Sequence, residues 1–253
     1  MSKRFLWPLA LVTVGLATGS AFAVEAESRL MDMAVKLADS KQFTVAIHMT
    51  YDVLQESGEM IEFGEVRTVQ VSRPEYLRVD AQQSDGDSGG LIFDGQTITQ
   101  FSETQNVYSQ VDRPGTIDNA IRYAVGELGV RFPLARMLVT SFPQEIRRLT
   151  TSVDFVERNI LGPVITDHIV GRTNDLDYQV WITDENFPTR IVLTYKNAPG
   201  QPQFRADFSS WNTAPLLKKG SFTFTAAANS EKIPTLLPTG STIEANPTQG
   251  DAK

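Results

Sequence analysis

From Phe43 to Val53 the chain alternates without interruption. Phe43, Val45, Ile47, Met49, Tyr51 and Val53 fall on one side, and Thr44, Ala46, His48, Thr50 and Asp52 on the other. A period of two held over this length specifies a long strand with one buried face. Such a strand is stable only inside a larger sheet. Ser57-Gly58 marks a turn, and Met60 to Ser72 returns as a second long strand. Arg73-Pro74 breaks the pattern, and Tyr76 to Gln82 reads as a third.

The remaining pattern extends this meander. Gln83 to Gly90 reads as a polar, glycine-rich loop. Leu91-Ile92-Phe93 and Thr97 to Ser102 flank the hairpin signal Asp94-Gly95, and Asn106 to Val111 is the next strand. Strand patterns resume at Ser152–Glu157, Val164–Arg172, Asp177–Thr183, Thr189–Tyr195, Phe204–Trp211 and Phe222–Ala226. Helical periodicity occurs in two places. Glu27 to Ser40 puts Leu30, Met33, Ala34, Leu37 and Ala38 on one face. The second place lies between the strand groups. Thr116 is the expected N-cap of a helix with Ile117, Ile121, Ala124, Val125 and Leu128 on one side and Gly129 closing it. Leu134 to Thr140 is a second short helix, and Pro143 opens a third with Ser141 or Phe142 near its cap. The predicted fold is mainly β: a strongly curved antiparallel sheet, an unclosed barrel, with an N-terminal helix and a mid-chain helical insert on its concave face. A β-sandwich accommodates three consecutive helical pieces poorly.

The N-terminus reads as an export signal. Lys3 and Arg4 precede the apolar stretch Phe5 to Thr18, and Ala21-Phe22-Ala23 is a cleavage site. The apolar run falls short of the roughly 20 residues that a membrane span needs. The expected organisation is a cleaved signal over 1–23, one domain over 24–230 and a polar, disordered tail over 231–253. The chain contains no cysteine. That excludes disulfides and thiolate metal sites, and, with the export signal and no cysteine for a lipoprotein anchor, the product is expected free in a Gram-negative periplasm. Residues 1–23 hold two of the 23 basic residues and no acidic ones. The remainder carries 21 basic against 30 acidic residues, a balance of −9. This opposes binding to nucleic acid or a lasting seat on anionic lipid. A monomer without stable membrane insertion is expected.

Motifs for catalysis are weak. Gly86-Asp87-Ser88-Gly89-Gly90 spells the surroundings of a chymotrypsin-type nucleophile, with His48 upstream. The two are only 40 residues apart and His48 sits inside a strand, so a polar loop is the better reading. A calcium loop over Asp85, Asp87 and Ser88 would need glutamate where Gln96 stands. Asp167 and His168 are adjacent in one strand and point to opposite faces, so they do not converge on a metal. The carboxylates Glu157, Asp167, Asp175, Asp177, Asp184 and Glu185 sit at turns or strand ends without forming a pair. No cofactor is expected and the chain reads as a non-enzyme.

The apolar insert is the candidate site. Phe132, Leu134, Met137, Leu138 and Phe142 form a dense apolar stretch. A curved sheet of this length encloses volume that short helices fill incompletely, and adaptable Met side chains suit a wall around varied guests. The five residues are therefore the expected lining of a cavity for a hydrophobic ligand.

Seven blocks carry a family resemblance: PEYLRVD (74–80), FDGQTITQFSETQNVYSQV (93–111), LGVRFPLARML (128–138), DHIVGR (167–172), DYQVWI (177–182), PTRIVLTYKNAPGQPQFRADFSSWN (188–212) and FTFTA (222–226). In this order they resemble an uncharacterised predicted periplasmic family, domain of unknown function 2092. That family in turn resembles the LolA/LolB/LppX lipoprotein-carrier superfold. The resemblance implies an unclosed barrel over helices and an apolar cavity for lipid or lipoprotein acyl chains. The alternative it leaves is an envelope protein-interaction or regulatory module with a packed core and a protein partner.

Overall fold

The computed structural model describes residues 18–130 and 133–234. Among them a twelve-stranded sheet carries the fold. Its strands are β1 (Gln42–Leu54), β2 (Met60–Ser72), β3 (Tyr76–Gln83), β4 (Ser88–Phe93), β5 (Thr97–Ser102), β6 (Val107–Asp112), β7 (Ser152–Asn159), β8 (Thr166–Arg172), β9 (Asp177–Thr183), β10 (Pro188–Thr194), β11 (Gln203–Asn212) and β12 (Glu231–Lys232). The spatial order is β12-β6-β5-β4-β3-β2-β1-β11-β10-β9-β8-β7. Two meanders, β1–β6 and β7–β11, thus join where β11 pairs antiparallel with β1. The sheet does not close, because β7 and β12 remain its two ends. The helices α1 (Thr18–Asp39), α2 (Ile117–Gly126) and α3 (Phe142–Leu149) share the concave side.

Alternation in the sequence becomes alternation of burial. Phe43, Val45, Ile47 and Met49 of β1 are buried with the α1 stripe Leu30, Met33, Ala34 and Leu37. The same core takes Val69 and Val71 of β2, Val180 and Ile182 of β9, and Phe204 and Ala206 of β11. A smaller cluster of Ile92, Phe101 and Phe222 lies on the other face of the first meander, backed by Tyr76, Tyr108 and Phe224. The two ends of the sheet are guarded differently. β12 runs parallel to β6 and covers its outer edge. β7 carries Asp154, Glu157 and Arg158 and a register break between Phe155 and Glu157, both of which hinder pairing with another chain.

Several expectations are corrected. α1 begins at Thr18 rather than Glu27, since Thr18–Ala26 is alanine-rich and contains no proline to stop it. The Gly89-Gly90 pair belongs to β4, not to a loop. A Cβ on either glycine would overlap a neighbouring carbonyl oxygen, that of Phe101 or of Val79. Phe222–Ala226 is not a strand: Lys219–Phe222 forms a 3-10 turn that drives Phe222 against Tyr76, with ring centroids 5.4 Å apart. The sheet position beside β6 goes instead to residues 231–232, within the stretch expected to be tail. Residues 1–17 of the signal expected over 1–23, and residues 235–253 of the expected tail, lie outside the described residues.

One close approach is testable. Tyr178 of β9 lies across Gly171 of β8, and its hydroxyl meets Thr150 Oγ1 at 2.8 Å. Burial pushes the Tyr178 phenol up to about 12. A Cβ at position 171 would overlap the ring, whereas at Gly64 its nearest neighbour is 3.7 Å away. Urea unfolding should therefore show Gly171→Ala losing about 1–3 kcal/mol through overpacking. Gly64→Ala should stay within about 0.5 kcal/mol of the parent.

Candidate functional site

The insert between β6 and β7 roofs the core. Thr116 caps α2 reciprocally with Asn119, which fixes where the helix starts. Gly129, at φ +65°, turns the chain back toward the sheet. Ala135–Leu138 then makes one 3-10 turn without a side-chain cap, and Pro143 sits in the first turn of α3. Ala135, Met137, Leu138 and Val139 are buried beneath this roof.

The polar bonds of the insert lie along its outer rim. Asp118 of α2 accepts from the Thr140 amide at 3.1 Å and from the Thr140 hydroxyl at 2.5 Å. Ser141 donates to Glu145 at 2.6 Å, and Arg122 donates to Ser141 at 3.2 Å. Behind this rim stands Arg73, whose side chain is only 6% exposed and lies 4.0 Å from Asp118. It donates to the carbonyls of Leu37 and Ser40 at the C-terminal end of α1. Burial lowers the Arg73 pKa, while Asp118 and Asp39 oppose that shift. One guanidinium thereby ties α1, the β2–β3 turn and α2 together.

Under the roof lies a cavity of about 20 Å³. Its wall is entirely apolar: Leu37 of α1, Phe43, Val45 and Ile47 of β1, Val69 of β2, Phe208 and Trp211 of β11, and Leu134, Met137 and Leu138 of the insert. Trp211 closes one end, packed on Phe43 and Phe187 with centroids 5.7 and 4.8 Å away, and its Nε1 donates to the Pro188 carbonyl at 2.9 Å. Three of the five expected lining residues, Leu134, Met137 and Leu138, are thus brought together. Phe142 is buried in the same core but away from the cavity wall. Phe132 lies outside the described residues. The space has room for about one water molecule, against roughly 300–1,000 Å³ for ligand sites. The insert's own side chains thus occupy most of the space beneath it.

The residues weighed for catalysis are kept apart. His48, Val66, Gln82 and Ser88 are successive cross-strand partners, which places Ser88 three strand spacings, roughly 14 Å, from His48. Ser88 donates instead to Glu103 at 3.0 Å. Glu157, His168, Trp181, Arg190, Asp207 and His48 form the continuation of that row. His168 stacks on Trp181 at 4.0 Å and meets Gln179 at 3.1 Å. Asp167 points to the other face, where it accepts from Arg29 of α1 at 2.8 Å and from Arg158 at 2.9 Å. Arg29 also reaches Asn186 and the Thr183 carbonyl, so it clamps α1 onto the second meander. In the sequence Arg29 simply falls on the polar side of its helix; its partners lie 138 to 157 residues away and leave no local signal. Among the described residues no three metal-ligating side chains converge, and no helix is long and apolar enough to cross a membrane.

Two measurements check these contacts. Asp118→Ala removes the acceptor of both Thr140 bonds, worth about 2 kcal/mol for bonds to a charged group. Amide exchange over 133–141 should accelerate by more than that of β1. The second concerns pH. Burial lowers the His168 pKa, against smaller opposing effects of Gln179 and Glu157. The unfolded chain then binds a proton at higher pH than the folded one, so stability should fall as pH drops below about 6.5. His168→Gln should flatten that slope in urea titrations between pH 7 and pH 5.

Comparison with known proteins follows the same lines. No curated protein matches the sequence. Among solved structures, MucB is similar at 14% identity and a TM-score of 0.42, over 80% of this chain and 64% of MucB, so the chain spans under two thirds of that protein. An uncharacterized conserved protein from Thermus thermophilus is similar at 7% identity and a TM-score of 0.47, over 82% of this chain and 98% of the other. A LolA superfamily protein from Nitrosomonas europaea is similar at 12% identity and a TM-score of 0.37, over 79% and 97%. The family comparison reaches further into the sequence: residues 26–236 match the family described as "Predicted periplasmic protein (DUF2092)", which takes in the whole core, the insert and β12. The chain belongs to this DUF2092 family of periplasmic proteins.

Proposed function

We propose that the protein is a non-catalytic periplasmic binding protein that takes a hydrophobic ligand of the acyl-chain class between its concave sheet and the insert. The observation that carries this reading is the division at the 3-10 turn: its underside meets a cavity lined by apolar side chains, while the side-chain bonds just after it, Asp118 to Thr140 and Arg122 to Ser141, lie on the exposed rim. Lifting the 3-10 turn breaks a few rim bonds and withdraws Leu134, Met137 and Leu138. An acyl chain entering behind them restores the apolar contact, at about 0.8 kcal/mol per buried CH₂. A long chain contributes on the order of 10 kcal/mol before ordering and association costs. The three side chains act as placeholders for the guest, and no covalent chemistry is required.

A second reading is an envelope interaction module with a permanently packed core. The small size of the cavity favours it, and so does the β7–β8 connection. There Ile160 is 70% exposed and Leu161 93%, followed by the exposed Val164 and Ile165. Four aliphatic residues in six exposed positions form the kind of patch that marks an interaction site.

Native mass spectrometry of protein from a Gram-negative host, together with uptake of a fluorescent fatty acid, separates the two. Lipid binding predicts co-purified acyl mass, faster uptake by Asp118→Ala, and loss of uptake in Met137→Trp, whose indole fills the cavity. A protein that takes up no fatty acid as wild type or as Asp118→Ala, but captures an envelope protein in a manner abolished by Leu161→Glu, would overturn the first reading in favour of the second.

A further inference from the structure

A second apolar surface lies outside the core, between the outward flanks of α1 and α3. It is a groove of about 370 Å³, floored by Met31 and Val35 of α1 and by Pro143, and rimmed by Gln144, Arg147 and Arg148 of α3. Its volume falls within the roughly 300–1,000 Å³ common to small-molecule sites. Val35 is 44% exposed, on a helix face whose other exposed members include Asp32, Lys36 and Asp39.

Among the described residues the two arginines carry neither a carboxylate partner nor an aromatic ring. Most other described arginines are tied to carboxylate, among them Arg205 to Asp52 at 2.8 Å, Arg190 to Asp207 at 2.7 Å and Arg158 to Asp184 at 2.9 Å, while Arg113 lies over the Tyr123 ring at 4.0 Å. Among the described residues neither Arg147 nor Arg148 has a carboxylate within 4.0 Å. The chain carries a formal net charge of −7, so acidic partners are plentiful. The carbonyl end of α3 favours a cation in its last turn. That accounts for positive charge at this position but not for the greasy floor beside it. Apolar floor and unpaired guanidiniums together match a molecule with hydrocarbon at one end and an oxyanion at the other. Guanidinium forks bind phosphate oxygens in pairs, which ammonium groups do not.

We infer that this groove binds an anionic amphiphile: one alkyl chain lies along Met31, Val35 and Pro143, and its phosphate headgroup is held by Arg147 and Arg148. The site stands apart from the core cavity, with which it shares no lining residue.

Isothermal titration with dodecyl phosphate, dodecyl maltoside and inorganic phosphate, each below micelle-forming concentration where that applies, tests it on the exported protein. In Met137→Trp, whose filled core takes no acyl chain, dodecyl phosphate should bind once per chain. The neutral-headed maltoside and free phosphate should each bind roughly tenfold or more weakly. Arg147→Ala/Arg148→Ala should weaken dodecyl phosphate by roughly tenfold, the scale of two exposed charge contacts. Val35→Asp should weaken it as well, and the core-filling Met137→Trp should leave it unchanged. Equal binding of maltoside, equal binding of bare phosphate, or a double arginine variant that binds as the parent does would each overturn the inference. The last outcome combined with a lower melting temperature would assign the arginines to the helix end alone. Loss of binding in Met137→Trp would place the amphiphile in the core and overturn the groove site, leaving the proposed core function intact.

Discussion

The burial of one face of β1 is the constraint from which the remaining architecture follows. β1 is where the two meanders meet, pairing along its length with β2 on one side and with β11 on the other. Its inward row from Phe43 to Met49 is almost wholly removed from water. Each such side chain contributes about 1.5–3 kcal/mol relative to exposure. A shift of register by one residue would turn that whole row outward. The pairing with β2 is local and forms through a hairpin. The pairing with β11 closes a loop that takes in most of the chain, and α1, held to Asp167 by Arg29, bridges the two halves across the core.

Curvature then sets the problem that the insert solves. A bent sheet with apolar residues along its concave face must be covered, and one helix is too narrow to do so. The insert adds α2, a single 3-10 turn and α3, and Arg73 and Asp118 fix them to α1 and to one another. This arrangement separates two kinds of interaction. Hydrogen bonds at the end of the 3-10 turn run along the margin, while the buried Arg73 bonds to the end of α1 beside α2. Non-directional apolar contact fills the middle.

The fold is most legible in the sequence where periodicity is long. β2, β5 and β9 fall where alternation places them, and Thr116 caps α2 as its spacing requires. It is least legible where a residue answers to something distant. Gly89 and Gly90 look like loop glycines because the carbonyls of Phe101 and Val79 that exclude a side chain come from other strands. Phe222 and Phe224 read as a strand because they alternate, yet the outer aromatic cluster draws them away from the sheet edge. In the candidate site, Leu134, Met137 and Leu138 are identifiable as a dense apolar run. Their partners Phe208 and Trp211 are not, since they lie far downstream in a strand whose pattern alone does not distinguish core from cavity wall.

Taken by itself, the chain determined most element types, the antiparallel meanders, the helical interruption and the absence of any thiol chemistry. These follow from local backbone geometry and from composition, both of which act over a few residues. Tertiary structure alone decided how far the concave space is filled, which arginines find a carboxylate, and that His48 and Ser88 stand three strands apart. Those outcomes depend on the bend of the sheet and on contacts spanning most of the chain. Volume and ion pairing are set by where surfaces meet, and no stretch of neighbouring residues encodes that meeting.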